Sequence, residues 1–468
     1  MALSQHASGI AVPRGAGASD ALHTTALWGG QLDPFQDGAH IYIGQAEGGQ
    51  GDIGVLDDRH MLTCAGSRSG KGVSSIVPTL LSYRGNVLVL DPKGENARIT
   101  APWRSQFSKV YVLDPFDLTG LPPHIKARFN PLLGLARTVE EIGLVSDGLV
   151  VQSSDKETHW DEAAGNLLGG IIAHCLGDAD ASLPRVHDLL AQSVKELTAA
   201  LQGSKSKRAR TAAHDFADKA EGERASVLSN ARKQMKWCAS RELRGNLEAS
   251  DFRLTDLQTD TVSIYLCLPA NYLEIHKRWM RVFLNLAMHA MTQAKPQGRL
   301  PALFVLDEFP VLGYMSQMET AAGLMAGYGL KLWTVIQDIG QLQALYKDRW
   351  QTFVGNAGVL QFFGNTDAGT CEYVSKLLGE TLLVQEQVSR SIQERDPNQK
   401  KLLQRAMLAS ASMQHQRLTV PLLRPDEVRY WFAREAGAQI VVVPHQLPIK
   451  CWRAPYYAHP RFQGRASP

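Results

Sequence analysis

The chain of 468 residues is long enough for two or three domains, and its content of 44% hydrophobic and 20% charged residues excludes disorder as the default description. The net charge of +3, from 49 Lys and Arg against 46 Asp and Glu, neither requires nor excludes a nucleic-acid partner. Six scattered cysteines without a C-x-x-C pair do not resemble a disulfide framework or a zinc site, and favour a reducing cytosol. We see no signal peptide and no apolar run of membrane-spanning length, and therefore expect a soluble, cytoplasmic protein.

The N-terminal part of the chain predicts an arm followed by a hairpin. Residues 1–40 are rich in Gly, Ala, Ser and Thr, and we expect them to form a flexible arm. The stretches "AHIYIG" at 39–44 and "IGVLDD" at 53–58 alternate in polarity around a Gly-rich connection, which predicts a β-hairpin. A short apolar strand, "HMLTCA", comes next, and a Gly-rich loop separates it from the helical stretch "VSSIVPTLLSY".

Continuous apolar runs recur along the rest of the chain and alternate with helical stretches. Such runs are typical of strands that are buried on both faces of a parallel sheet. We therefore predict an α/β fold with a mostly parallel central sheet. The predicted strands lie at 85–91, 109–116, 260–270, 302–309, 330–337, 358–364 and 438–444.

The alternation stops between residues 135 and 250, where Ala- and Leu-rich segments have helical spacing and no strand is predicted. We expect an all-α domain, 135–250, inserted between two parts of a nucleotide-binding domain, 41–134 and 251–468. A polar, charged stretch at 388–407 predicts a mobile surface excursion.

The inserted segment contains the most basic region of the chain. Residues 201–247 hold eleven Lys and Arg against five Asp and Glu. The runs "KSKRAR" at 205–210 and "ARKQMKWCASRELR" at 231–244 are candidates for contact with nucleic-acid phosphates, and Trp237 for stacking on a base. A solvated helix face, a core position for Trp237 and a contact with a protein cargo are the alternatives.

The Gly-rich loop "AGSRSGKGV" resembles the phosphate-binding pattern G-x-x-x-x-G-K-[ST]. Successive backbone N–H groups of such a loop form a nest for anions, and its lysine contacts the β- and γ-phosphates. Two positions differ from the pattern, and a plain strand-to-helix turn is the alternative: Ala65 replaces the first Gly, and Gly72 replaces the magnesium-binding Ser or Thr. The predicted nucleotide-binding residues are Ala65, Gly66, Ser67, Arg68, Ser69, Gly70, Lys71, Gly72 and Val73.

Two further polar features end buried strands. Asp307 and Glu308 close "ALFVLDEF", where Asp307 could hold the shell of a magnesium ion and Glu308 could polarise an attacking water. Gln337 ends "LKLWTVIQ" and could sense the γ-phosphate. The alternatives are a helix-capping carboxylate for the acidic pair and a helix cap for Gln337. Ser74, Ser75 or a water on Asp307 could replace the missing magnesium ligand at position 72.

Several segments resemble, in the same order, the conjugative coupling proteins of type IV secretion systems, in particular their TraG-like branch. The resemblance extends from about residue 40 to 462, and an Ala at the start of the Gly loop with a Gly after its Lys is typical of that branch. The matching segments are "SRSGKGVSSIVPTLLSYRGNVLVLDPKGE", "YVLDPF", "RFNPL", "LDEFPVLG", "MAGYGLKLWTVIQDIGQL" and "LLRPDEV…IVVVPHQLPIKCWRAPYYAHPRF".

The resemblance implies a RecA-like P-loop NTPase motor domain with an inserted all-α domain that chooses cargo. It implies an ATPase, stimulated by DNA and dependent on ATP and Mg²⁺, that forms a ring of six at the inner membrane and passes a relaxase bound to single-stranded DNA to the secretion channel. By position, Lys71 is the phosphate lysine, Asp307 the metal carboxylate, Glu308 the catalytic carboxylate and Gln337 the sensor. Asp91 and Lys93 of "DPKGE" would lie beside the nucleotide.

Two departures from the family are visible. Members usually begin with transmembrane helices, which this sequence lacks, so we expect either a soluble variant or a separate membrane-anchor protein. Relatives usually have Arg at the position of Tyr314, which leaves Arg349, Arg68 and Lys331 as candidates for a cation acting on a neighbouring subunit. An FtsK-like DNA translocase and a cargo receptor that does not hydrolyse ATP are the alternative functions.

Overall fold

A computed structural model of the protein describes residues 27–49, 51–151, 158–293, 298–390 and 411–467. Fourteen strands lie in these ranges. In chain order they are β1 (Asp33–Pro34), β2 (Ile41–Gln45), β3 (Asp52–Val55), β4 (His60–Ala65), β5 (Val87–Asp91), β6 (Lys109–Leu113), β7 (Val262–Cys267), β8 (Ala302–Leu306), β9 (Leu330–Ile336), β10 (Ala357–Phe363), β11 (Glu380–Arg390), β12 (Ala411–Pro421), β13 (Ala438–Val442) and β14 (Ile449–Trp452).

Twelve of the strands form one sheet in the order β1-β3-β2-β14-β13-β10-β4-β9-β8-β5-β7-β6. The part from β10 to β6 is parallel throughout, and the part from β13 to β1 extends it with antiparallel strands. The predicted mostly parallel sheet is therefore confirmed. Because the carboxyl ends of parallel strands meet at one edge, the loops after β4, β5, β8, β9 and β10 share that edge.

Sixteen helices are described. They are α1 (Val77–Ser82), α2 (Glu95–Arg104), α3 (Val139–Leu149), α4 (Thr158–Cys175), α5 (Leu183–Leu190), α6 (Val194–Gln202), α7 (Lys207–Ala217), α8 (Glu221–Met235), α9 (Arg241–Leu247), α10 (Asp256–Thr259), α11 (Leu273–Thr292), α12 (Ser316–Leu324), α13 (Ile339–Tyr346), α14 (Gln351–Gly355), α15 (Ala368–Leu378) and α16 (Pro425–Trp431). In the part of the chain that the structure describes, no helix combines the length and apolarity needed to span a membrane.

Eight helices, α3 to α10, occupy the connection between β6 and β7, where no strand occurs among the described residues. α4 packs against α3, α7 and α8, and α3 packs against α11. One hydrophobic core runs from Leu90 and Leu266 of the sheet through Trp279 of α11 to Leu168 of α4. The helical segment therefore shares its core with the sheet, and the separate domain 135–250 stays a prediction, as do the boundaries of the flanking parts.

Predicted and observed elements agree closely in the sheet and differ at its ends. The hairpin is confirmed as β2 paired with β3, and each predicted strand is present with ends that differ by no more than three residues. Residues 1–40 were predicted to form a flexible arm, but the described part after residue 26 is ordered against the sheet, because β1 pairs with β3 and Phe35 is buried. Residues 1–26 lie outside the described residues.

The structure contains a two-stranded antiparallel ribbon that the sequence reasoning missed. β11 pairs with β12 along its whole length and stands apart from the main sheet. A ribbon outside the central sheet needs no continuous apolar run, so composition did not indicate it. The predicted excursion at 388–407 begins at the end of β11, and its residues 391–407 lie outside the described ranges.

Candidate functional site

The Gly-rich loop connects β4 to a π-helical turn, Gly72–Ile76, which continues into α1. Ala65 is the buried last residue of β4, and the N–H of Gly66 donates to the Phe363 carbonyl at 3.3 Å. A Cβ atom on Gly66 would overlap the Gly364 carbonyl oxygen. The close approach that requires a glycine is therefore at position 66, which explains why the loop tolerates Ala at 65.

The loop has a compact and strained backbone. The N–H of Ser69 donates to the Gly66 carbonyl at 3.2 Å, and Gly70 has a φ of 93°, a conformation that favours glycine. Arg68 also has a positive φ, 56°, although it is not a glycine. Such backbone strain and a π-helical turn both occur often at functional sites. The nine residues predicted to bind nucleotide, 65–73, form one continuous turn here, and nucleotide binding by them stays a prediction.

Lys71 lies between the two carboxylates that follow β8. Its Nζ atom is 2.7 Å from Oε1 of Glu308 and 3.2 Å from Oδ1 of Asp307. Burial lowers the pKa of Lys71, but Asp307 and Glu308 outweigh burial and hold the pKa above its usual value. For Glu308, burial raises the pKa and Lys71 lowers it further than that, so the carboxylate stays ionised.

Glu308 is held by a second contact. The Gln337 side chain, just after β9, donates from Nε2 to Oε2 of Glu308 at 2.9 Å. Glu308 has φ 58° and ψ 43°, a left-handed conformation that is uncommon for residues other than glycine and occurs often at functional sites. The structure thus brings Lys71, Asp307, Glu308 and Gln337 together, although they lie up to 266 positions apart in the sequence.

The alternative capping roles of these residues are not supported by the geometry. Glu308 precedes a 3₁₀ turn, Phe309–Leu312, but its side chain makes no capping hydrogen bond. At the start of α13 the cap is Asp338, whose side chain accepts from the Gln341 N–H at 2.9 Å. Gln337 is therefore free of that task and faces Glu308.

The residues around Asp307 fit a magnesium ion. Oδ1 of Asp307 is buried and has no hydrogen bond within the described residues, although it forms the ion pair with Lys71. Burial and Glu308 raise the pKa of Asp307 while Lys71 opposes them, so a second cation would favour the ionised form. The described ranges contain no group of three or more His, Cys, Asp or Glu side chains suited to a metal. Magnesium, however, usually takes only one or two carboxylates and completes its shell with water and phosphate oxygens.

The two serines considered as replacement ligands have different surroundings. Ser74 Oγ donates to the Gly70 carbonyl at 2.7 Å, so it lies beside the loop. Ser75 Oγ instead accepts from Nε2 of Gln361 at 3.2 Å, on the side that faces the sheet. The prediction that Ser75 could be a magnesium ligand is therefore wrong, and Ser74 stays a candidate for that ligand.

A chain of buried polar side chains lies beneath the loop, and sequence reasoning missed it. The Trp333 ring N–H donates to Thr63 at 2.8 Å, Thr63 Oγ1 donates to Gln361 at 2.9 Å, and Gln361 donates to both Ser75 and Gln439. The chain crosses from β9 to β13 and ends at the π-helical turn. The signal was present as an amide inside each of two otherwise apolar strands, "GVLQFF" and "AQIVVV".

Asp91 has a structural role at this edge. It ends β5, is fully buried, and accepts a hydrogen bond from the Ala97 N–H in the first turn of α2 at 2.8 Å. Burial raises the pKa of Asp91 to about 7, with the Ala97 bond opposing and Asp307 adding to the rise. The charge of Lys93 also acts on the site, since it opposes the rise in the pKa of Asp307 and adds to the fall in the pKa of Glu308.

The three cations that were candidates for a contact with a neighbouring subunit differ in their exposure to solvent. Lys331 is wrong for a contact with another subunit, because it is buried and donates to the Asp57 carbonyl at 2.6 Å, and burial lowers its pKa to about 8. Arg349 has a side chain that is 69% exposed and forms an ion pair with Glu319 at 2.7 Å. Arg68 is exposed on the Gly loop.

Some cations of the basic region, 201–247, form hydrogen bonds and ion pairs within the helical segment itself. Arg232 donates to the Leu190 carbonyl at the end of α5 at 2.7 Å, and Arg244 pairs with Asp188 at 2.7 Å. Trp237 is only 2% exposed and belongs to the core, so its proposed stacking on a base is wrong. Nucleic-acid contact by the remaining cations of 201–247 stays a prediction.

Comparisons with known proteins agree on one family. The family model described as type IV secretory system conjugative DNA transfer matches residues 23–468. A conjugal transfer protein TraG of Escherichia coli is 30% identical, over 96% of this chain and 79% of its own length. Protein VirD4 of Rhizobium rhizogenes is 28% identical over 85% of this chain, which spans 58% of that protein.

Solved structures of the bacterial conjugative coupling protein TrwB share the fold. A trigonal form of TrwB in complex with sulphate covers 92% of this chain and 94% of its own, with a TM-score of 0.69 and 14% identity. TrwB in complex with ADP and Mg²⁺ covers 86% of this chain and 87% of its own, with a TM-score of 0.65 and 15% identity. The likeness confirms the predicted RecA-like α/β fold.

Proposed function

Since the chain belongs to the conjugative DNA transfer family of type IV secretory systems, the coupling proteins, we propose that it hydrolyses ATP to deliver cargo to a secretion channel. The proposed cargo is a relaxase with its single-stranded DNA, or an effector protein. The observation that carries the proposal is the cluster of Lys71, Asp307, Glu308 and Gln337 against the Gly loop. A phosphate-binding loop, a metal carboxylate, a catalytic carboxylate and a polar sensor are the parts that ATP hydrolysis needs.

The contacts of Lys71 indicate how binding prepares the reaction. In the structure its ammonium group neutralises Glu308 and Asp307. When the phosphates of ATP lie on the N–H groups of the loop, Lys71 moves to the β- and γ-phosphates, because these carry the larger negative charge. Glu308 then loses its cation and can accept a proton from the attacking water. Gln337 keeps Glu308 oriented through its bond to Oε2.

Asp307 and Ser74 are the residues that would hold magnesium. Mg²⁺ when bound neutralises charge that develops on the phosphate oxygens. Asp307 suits this task because its Oδ1 is buried and pairs in the structure with Lys71, a cation that the phosphates of ATP would draw away. TrwB structures contain ADP with Mg²⁺ and non-hydrolysable ATP and GTP analogues, which supports ATP and Mg²⁺ as the ligands here.

The wider proposal concerns assembly and location. We place the protein on the cytoplasmic side of the inner membrane, as a ring of six that contacts channel components and a separate membrane-anchor protein. The family resemblance supports this arrangement, and we propose that the helices between residues 139 and 247 choose the cargo. Arg349 and Arg68 are the exposed cations that could act on a neighbouring subunit.

The test is Mg²⁺-dependent ATP turnover of the purified protein with and without single-stranded DNA. We expect turnover that DNA stimulates, and that Lys71→Ala or Glu308→Gln abolishes. Lys376→Ala and Glu372→Gln, two exposed positions on α15, are charge-matched controls that should keep wild-type turnover. Full turnover in both site variants would refute the site assignment, and an inactive wild-type protein that binds cargo normally would favour a receptor.

A further inference from the structure

The segment after β14, near the C-terminal end of the chain, places an arginine on the Gly loop. Arg453 donates from Nη1 to the Ser69 carbonyl, and this nitrogen is 3.7 Å from the position that a Cβ atom on Gly70 would take. On its other arm, Nη2 donates to the Arg434 carbonyl at 2.7 Å. The guanidinium group also lies over the ring of Phe363, 4.8 Å from its centre.

These contacts join three separate parts of the chain at the loop. Phe363 is also the residue whose carbonyl accepts the Gly66 N–H, so Arg453 and Gly66 contact the same end of β10. Arg434 lies in the connection between α16 and β13. Arg453 therefore links the Gly loop to the C-terminal strands, although 384 positions separate it from Ser69.

The charge of Arg453 is only partly screened by water. The side chain is half-buried, and its Nε has no hydrogen-bond partner within the described residues. Burial lowers the pKa of Arg453 and Glu435 opposes that change. A guanidinium group stays protonated under such conditions, so a full positive charge rests against the Ser69 carbonyl.

We propose that Arg453 is a positioning residue that strengthens the phosphate nest of the Gly loop; the proposal rests on the nucleotide binding proposed above. The Ser69 carbonyl and the Gly70 N–H belong to the same peptide group. A charged donor on the carbonyl oxygen polarises the peptide and makes its N–H a stronger donor. That N–H is one of those expected to face the phosphates, and the bond to Arg453 also holds the loop in its strained conformation.

The test compares the binding of ATP and of tripolyphosphate, a phosphate chain without a base, by the full chain. Arg453→Met should weaken both ligands by the same factor, roughly tenfold, which is typical for the loss of one charge-assisted hydrogen bond. Arg453→Lys keeps the charge but cannot bind two carbonyl groups at once, and its affinity for both ligands should fall roughly threefold. Arg461→Met is the matched control, because Arg461 anchors the same C-terminal segment through Asp52 at 2.7 Å.

The outcomes separate this proposal from the nucleotide proposal and from a merely structural role. Absence of ATP binding in the wild-type protein would refute nucleotide binding itself. Wild-type affinity for tripolyphosphate in Arg453→Met would refute the role of Arg453 while nucleotide binding stands. An equal loss in Arg461→Met would assign the effect to docking of the C-terminal segment. Thermal unfolding of each variant shows whether it folds. If Arg453→Met does not fold, the affinity of Arg453→Lys for tripolyphosphate tests the proposal instead.

Discussion

Replacement of Glu308 by Gln should change ATP affinity and ATP turnover in opposite directions. In the structure Glu308 holds Lys71 through a charge-assisted hydrogen bond of 2.7 Å, and the two side chains are 27% and 14% exposed. ATP binding requires Lys71 to leave this bond. Glu308→Gln removes the negative charge while the amide oxygen can still accept from Gln337, so the neighbouring geometry is retained.

The magnitude follows from the strength of the bond that ATP binding must break. A hydrogen bond between charged groups contributes about 1.5–3 kcal/mol, and the lower value applies here because the site is partly exposed and Lys71 keeps its contact with Asp307. We therefore expect Glu308→Gln to bind ATP about tenfold more tightly than the wild type. Turnover should fall by roughly 10²-fold or more, because the carboxylate that accepts the proton is gone.

The assay is titration calorimetry with ATP and Mg²⁺, paired with phosphate release measured on the same protein. Glu372→Gln on α15 is the control, because it makes the same chemical change at an exposed position and should alter neither quantity. An unchanged or weaker affinity in Glu308→Gln would refute the competition between Glu308 and phosphate for Lys71. A loss of turnover without tighter ATP binding would not support this competition, because removal of the catalytic carboxylate lowers turnover in any case.

Three further outcomes are expected. Gln361→Leu breaks the hydrogen bond to Ser75 in the π-helical turn and should weaken ATP binding several-fold, as measured by calorimetry. Gln439→Leu removes an equally buried amide of the same network and should lower thermal stability alone. Equal ATP affinities of the two variants would refute the link between Gln361 and the Gly loop. Gln337→Ala frees one oxygen of Glu308 and should lower kcat roughly tenfold with little change in KM, and a change in KM alone would contradict its orienting role. Burial raises the pKa of Asp91 from 3.8 to about 7, so the unfolded chain loses this proton first and the free energy of unfolding falls as pH rises from about 4 to 7, by up to ~4 kcal/mol. Urea unfolding at several pH values should show a smaller fall in Asp91→Asn, and an identical fall would refute this contribution.

Local pattern was enough to predict most of the central sheet and the elements of the site. Strands such as β5 and β8 are continuous apolar runs, because both of their faces are buried, and such runs are visible in any single sequence. Asp307, Glu308 and Gln337 were recognisable because a polar residue at the end of a buried strand is uncommon unless it meets a ligand or a cap. The loop around Lys71 was recognisable from its glycines and its place between a strand and a helix.

Contacts between distant parts of the chain decided the rest. The sequence alone determined the Gly-rich loop and the pair of carboxylates, since each depends on residues that are neighbours along the chain. Only the tertiary structure decided that Lys71 rests on Glu308, that Ser75 faces Gln361, and that Arg453 lies on the loop. The physical reason is that these bonds depend on strand order in the sheet, which brings together residues hundreds of positions apart, and strand order is set by packing of the whole core rather than by any local pattern.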